Sequence, residues 1–447
     1  MDKRDSIDWG RTSIPRLFVK MFFPTLFGML LASTVNIVDG IFVGHGVGSD
    51  ALAAVNIVAP FFLITTGVGL MFGSGVSIVA SVHLSHGNVK AANINITQAF
   101  AVGTLLMVAV AAAVMAFPAA TARLLGASEG LTPFALEYMR WIIPALPFYM
   151  LISIGLFVLR LDGSPVWAMA CNIAPAAINV VLDYIFIFPL GMGIGGAALA
   201  TALSAVAGTT IVFVYMLWLR RTVGFRRVKL SRTSLALTAR NIGYQMKLGA
   251  SSLIGELAIA CTMLTGNFAF IRRLGDDGVA AFSVACYCFP LVFMVGNAIA
   301  QSAQPILSYN YGAGQPRRVR ETLRLSLWIA VVCGLLMSLL GVVESGAVVS
   351  VFLPASAPAS HIAADGLPYF SLAFLFFALN LVVIGYFQSL ERFKRATFLM
   401  LLRGFVFVVP AFLLLPFAAG DHGLWLAVPL AEALTFAVIA LKAVVRR

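Results

Sequence analysis

Twelve long apolar runs, each about as long as the roughly 20 residues a helix needs to cross a bilayer, constrain this chain more than any other feature. They lie at about 15–41, 51–82, 92–117, 133–159, 164–188, 195–219, 242–270, 278–310, 320–343, 366–388, 395–416 and 424–444. A soluble domain is only about half apolar, whereas here the apolar share is 61% and charged residues make up 11%. The runs are continuously apolar instead of alternating with period two, so they predict helices and exclude barrel strands. The expected fold is all-α and integral to a membrane, with twelve transmembrane helices.

The runs come in two sets of six that repeat each other. Gly48-Ser49-Asp50-Ala51-Leu52-Ala53-Ala54-Val55 falls on Gly275-Asp276-Asp277-Gly278-Val279-Ala280-Ala281-Phe282, and the next loop, Ser85-His86-Gly87-Asn88-Val89-Lys90, falls on Gly312-Ala313-Gly314-Gln315-Pro316-Arg317. Duplication predicts two pseudo-symmetric six-helix lobes. Their expected bounds are an N-terminal tail over 1–14, a first lobe over 15–219, a basic linker over 220–241 and a second lobe over 242–447. The linker is expected to lie as an amphipathic segment on anionic headgroups.

The net charge of +12 is a topology signal. With both termini cytoplasmic, only Arg123, Arg140, Arg272 and Arg273 of the 30 Lys and Arg residues fall outside, and Arg403 lies within a span. This bias orients the chain by the positive-inside rule. No basic stripe with interleaved aromatics stands outside that pattern, which argues against nucleic acid as a partner. The five cysteines all sit in apolar segments and imply neither a disulfide framework nor a metal site.

The repeat is broken at its acids. Asp39 and Asp183 lie inside apolar spans of the first lobe, and their counterparts in the second are Gly266 and Ala411. Asn172, Pro175, Asn179 and Asp183 share one helical face, as do Asn36 and Asp39, while Thr201 and Ser204 give the sixth span a polar edge. Burying an ionised carboxylate alone is costly, so such a group takes up a proton or gains a cation. Two carboxylates with an amide and a hydroxyl form a hard oxygen set for a sodium ion, or a proton site. The alternative is packing glue, which rarely needs an acid. Pro24, in the first span, removes a backbone donor and permits a bend there.

The second lobe carries Glu256, Arg403 and Glu432. Glu256 reads as a second cation site, as an anchor for cationic substrates, or as the partner of a polar neighbour; Arg403 and Glu432 pair if their helices meet. Phe289, Phe293, Met294, Phe374, Phe376, Phe377, Tyr386 and Phe387 suit a broad cavity for varied amphipathic cations, or simple packing. There is no phosphate-binding loop with Gly-Lys-Ser/Thr, and His83 and His86 lack an acidic ligand that would complete a zinc motif. An enzyme is not expected, and no cofactor is implied; an ion gradient is the expected source of energy.

Pro24 with Val38-Asp39-Gly40-Ile41-Phe42-Val43-Gly44, Asn179-Val180-Val181-Leu182-Asp183, and Leu159-Arg160-Leu161-Asp162-Gly163 resemble the multidrug and toxic compound extrusion (MATE) family over nearly the whole chain. Within it they resemble the DinF-like and MepA-like branch. The resemblance implies antiport, in which entering protons or sodium ions drive export of drugs, often cationic, by alternating access. It maps Asp39, Asn179, Asp183 and Thr201 onto the cation-coupling positions and Pro24 onto the bend of the first span; Asn36, which shares a face with Asp39, and Glu256 are the expected additional cation or substrate contacts. The NorM-like branch uses acids in spans 7 and 10; span 10 here has Asn380 in place of an acid.

The expected function is a monomeric secondary multidrug antiporter of a prokaryotic cytoplasmic membrane, meeting small amphipathic cations and membrane lipids. The runner-up is a flippase for lipid-linked saccharides, which calls for a cavity rich in Lys and Arg. Proton and sodium both remain open as the coupling ion.

Overall fold

Prolines and short polar side chains decide where the helices of this computed structural model begin. Pro at the first turn has no N–H to leave orphaned, and it opens α4 (Pro118–Leu124), α5 (Thr132–Leu161), α6 (Pro165–Ile187), α9 (Pro316–Val343), α11 (Pro358–Ser371) and also α1 (Ile14–Gly46). The Asn88 side chain caps α3 (Val89–Ala116) by accepting from Ala91 N at 3.0 Å. Ser231 caps α8 (Arg232–Gly312) through Ser234 N at 3.2 Å. The other helices are α2 (Ser49–Ser85), α7 (Gly193–Val214), α10 (Ser345–Phe352), α12 (Ala373–Ser389), α13 (Phe393–Leu401), α14 (Val408–Ala419) and α15 (His422–Val444). Two π-helical turns, Tyr215–Leu219 and Leu402–Val406, extend α7 and join α13 to α14.

The structure describes residues 8–47, 49–125, 127, 129–228, 231–352 and 358–444, and within helices it leaves out the side chains at 35–37, 39–41, 44–45, 49–50, 52–53, 56, 276, 287–291, 352 and 442–444. Ten described helical stretches are long and apolar enough to cross a membrane, and the bent pair α11 and α12 makes an eleventh. α8 is two helices joined at Gly275, whose φ of 65° and ψ of −155° suit only a residue without a Cβ. The first part, Arg232–Gly275, is one of the ten spans.

The chain divides into two units. The first comprises 1–253 with 308–315, and the second 254–307 with 316–447. The division therefore falls inside α8. Its first turns belong to the first unit because α3 holds them through a polar ladder: Gln98 Nε2 donates to Thr238 Oγ1 at 2.8 Å, Asn241 Nδ2 to Gln98 Oε1 at 3.0 Å, and Gln245 Nε2 to Asn95 Oδ1 at 2.9 Å. On the α2 side, Gly75 meets the Gln245 carbonyl and Gly249 meets the Met71 carbonyl so closely that a Cβ at either glycine would collide. Small residues at such crossings let backbones approach where no hydrophobic drive acts between helices.

Upstream of Ser231, the basic stretch over 220–228 forms neither helix nor strand and is hydrogen-bonded to the protein. Asp162, in the turn between α5 and α6, accepts from Tyr215 Oη and Arg221 N, each at 2.7 Å, and through its other oxygen from Thr222 N at 2.7 Å and Val223 N at 2.9 Å. Asn93 Oδ1 takes Gly224 N and Thr97 Oγ1 takes Arg226 N, both at 2.9 Å. With its backbone anchored, the segment still exposes Arg220, Arg221, Arg226 and Arg227.

The two cores differ in character. That of the first unit is built of aliphatic and small residues such as Val58, Ala80, Ile96, Ile142 and Leu146. That of the second centres on aromatics: Phe270 stacks on Phe282 with centroids 4.5 Å apart and meets Trp425 edge-on at 4.9 Å. Phe374 and Phe377 are buried in this core and pack the second unit. Phe289 lies outside the described side chains.

Candidate cation site

α6 and α7 run antiparallel. Their register is fixed by three close approaches: Pro175 against Gly208, Asn179 against Thr201, and Phe186 against Gly196. Gly196 and Gly208 have no room for a Cβ, which draws the helices together and brings the polar stripe of α6 onto α7. Asn179 Nδ2 donates to Thr201 Oγ1 at 3.3 Å in a buried contact. One turn on, Asp183 is fully buried, beside the small residues Ala197 and Ala198 that this register sets across from it. The sequence stripe thus becomes an interior face.

Thr201 is held from two directions. Tyr149 of α5 donates its hydroxyl to the Thr201 carbonyl at 3.2 Å, and Ser204 donates to the same carbonyl at 2.7 Å. Tyr149 carries no signal in the sequence, where it is one aromatic in an apolar span. The set of one carboxylate, one amide oxygen and one hydroxyl suits a hard cation or a proton. Among the described residues no three His, Cys, Asp or Glu side chains gather to form a metal cluster.

Asp39 and Asn36 lie on α1, and their side chains fall outside the described residues. α1 and α6 are neighbours: a Cβ on Gly28 would sit 3.4 Å from Asn172 Nδ2 and 3.3 Å from Met169 Cα. Pro24 lies inside α1, which runs unbroken through it.

In the second unit Arg403, Glu432 and Asn380 form one polar network. Arg403, carried on the π-helical turn, bonds Glu432 of α15 from Nε at 2.9 Å and from Nη2 at 2.5 Å. Asn380 of α12 donates to Glu432 Oε2 at 2.7 Å and to its carbonyl at 2.9 Å. The Arg403 guanidinium also lies 4.3 Å from the Phe377 ring centroid. A cavity of about 10 Å³, bordered by Thr262, Arg403 and Glu432, has room for about one water molecule. Glu256, half-buried on α8, is not part of this network, and no described residue bonds to it.

Comparison with known proteins agrees with this architecture. The MatE family model matches residues 24–185 and 253–413, one match in each half. The FAD transporter of Shewanella oneidensis is 28% identical over 326 residues, covering 70% of this chain and 69% of that protein. The multidrug export protein MepA of Staphylococcus aureus is 25% identical over 66% of this chain, and the match spans a little under two thirds, 64%, of MepA. A solved structure described as the outward-facing conformation of a multidrug resistance MATE family transporter of the MOP superfamily superposes with a TM-score of 0.91 over 100% of this chain and 98% of its own, at 21% identity. With the family model spanning most of both halves, the chain belongs to the MatE family of multi-pass membrane transporters.

Proposed function

We propose that this protein is a secondary antiporter that exports small amphipathic cations in exchange for protons or sodium ions, seated in a prokaryotic cytoplasmic membrane with both termini inside. The observation that carries the reading is the buried Asp183, one turn from an Asn179 that is hydrogen-bonded to Thr201, whereas Glu432 of the second unit is held in an ion pair with Arg403. The Asp183 carboxylate, Asn179 Oδ1 and Thr201 Oγ1 would hold the ion together with Asp39. Each charge moved down the membrane potential supplies about 2.3 kcal/mol per 100 mV. The likeness to a multidrug export protein supports a drug-like cargo, and the acidic first unit favours a cation.

A second reading has one observation in its favour, the 28% identity to a protein named FAD transporter: the cargo would then be an anionic flavin nucleotide. The test is efflux from proteoliposomes under separately imposed proton and sodium gradients, with ethidium and FAD as probes. Ethidium movement driven by at least one gradient is expected. FAD movement without ethidium movement would favour the second reading, and no gradient-driven movement of either would overturn both.

A further inference from the structure

A groove of about 300 Å³ runs along the second unit between α8 and α14, lined by Leu264, Thr265, Phe268, Ala269 and Arg272 on one side and Val409 and Leu413 on the other. On α8 these residues fall at i, i+1, i+4, i+5 and i+8, a single helical face. The two helices are parallel here, since Gly404 meets Ala258 and Phe412 meets Gly266. The walls are greasy and open: Leu264 is 69% exposed and Phe268 71%. An exposed apolar wall of this kind on a membrane-spanning helix suits an acyl chain.

One end of the groove is different. Arg272 lies three residues before the Gly275 break that ends the span, which puts a guanidinium where hydrocarbon gives way to headgroups. Its neighbour Arg273 is taken by Asp421, Nε to Oδ1 at 2.6 Å, and this ion pair ties the end of the first part of α8 to the turn after α14. Arg272 is exposed, and no described acid pairs with it. An apolar slot ending in an exposed guanidinium has the layout of a phospholipid: chain in the slot, phosphate on the fork.

We propose that this groove is a binding site for an anionic phospholipid, with one acyl chain along Leu264, Phe268 and Leu413 and the phosphate on Arg272. Charge complementarity selects this occupant. Arg272 repels an amphipathic cation, so the groove is separate from the path of the cargo, and a zwitterionic lipid offers the same phosphate without net charge. The site does not depend on the coupling ion or the substrate.

The test is native mass spectrometry of the full-length protein extracted from vesicles of equal phosphatidylglycerol and phosphatidylcholine, with bound lipid compared for wild type and variants. Wild type is expected to retain phosphatidylglycerol about fivefold over phosphatidylcholine, the scale of one basic side chain at an anionic surface. Arg272→Gln should bring the ratio close to that of the vesicles, and Arg272→Lys should keep most of it. Ala269→Phe, which fills the slot, should lower retention of both lipids, and Arg123→Gln should leave the ratio unchanged. The proposal is overturned if Arg272→Gln keeps the wild-type ratio, if Ala269→Phe keeps both lipids, or if ethidium displaces the bound lipid from wild type.

Discussion

Arg403 grips Glu432 through both Nε and Nη2 in the interior of the second unit, the two side chains being 5% and 4% exposed. Asn380 occupies the carboxylate's other oxygen. The pair joins the π-helical turn to α15, and Asn380 adds α12, so three helices share one neutralised node. Such a node contributes little net stability over a well-packed apolar trio, but losing one partner strands a buried charge. Arg403→Met or Glu432→Met should each destabilise the protein by about 3–5 kcal/mol. The double variant Arg403→Met with Glu432→Met should recover most of that. Thermal unfolding in detergent of the two singles and the double checks the cycle.

Asp162 accepts three backbone N–H groups and the Tyr215 hydroxyl, which anchors the stretch after α7 to the turn between α5 and α6. Asp162→Asn keeps one acceptor oxygen and turns the other position into a donor facing N–H groups. The expected cost is about 1–3 kcal/mol, felt locally. Limited trypsin digestion at Arg226 and Arg227 should be faster in Asp162→Asn than in wild type. Tyr215→Phe, which removes a single donor, should fall between them.

Gly75 and Gly249 sit where α2 and α8 touch backbone to backbone. A methyl group at either position must push the helices apart, at about 1–3 kcal/mol. Gly249→Ala and Gly75→Ala should lower the melting temperature, whereas Gly243→Ala, on the same helix with open space beside it, should not.

The membrane fold, the family and the polar face of α6 were legible in the residues themselves, because long apolar runs and acids within them are rare without cause. Asn179 and Asp183 fall on one face because of their spacing of four, Thr201 joined them through the family resemblance, and the structure shows the tight α6–α7 hairpin that brings that face to Thr201. Tyr149 could not be found: nothing in an apolar helix distinguishes the aromatic that reaches a neighbour's carbonyl. The Arg403–Glu432 pair needed the register of two helices and a π-helical turn that re-aims Arg403, neither of which a repeat pattern reveals. Asn93, Asn95 and Gln98 read as ordinary polar residues near a helix start, yet they hold the first turns of α8. Phe374 and Phe377 show the reverse limit, since hydrophobicity alone does not tell a cavity wall from a core.

The Thr201 hydroxyl oxygen accepts from Asn179 while Tyr149 and Ser204 donate to its carbonyl. Thr201→Ser preserves the oxygen and should leave the half-saturating concentration of the coupling ion near wild type. Thr201→Val keeps the shape without the oxygen and should raise it about tenfold, the equivalent of about 1.4 kcal/mol. Tyr149→Phe should have a smaller effect in the same direction. Titration of transport against the driving ion in proteoliposomes separates the three.

The most direct test of the coupling claim compares Asp183→Asn with wild type, at equal incorporation and equal melting temperature, in ethidium efflux driven separately by a proton and by a sodium gradient. Wild type is expected to respond to at least one gradient and Asp183→Asn to neither, while still binding ethidium. Gradient-driven efflux by Asp183→Asn at the wild-type rate would contradict the coupling claim.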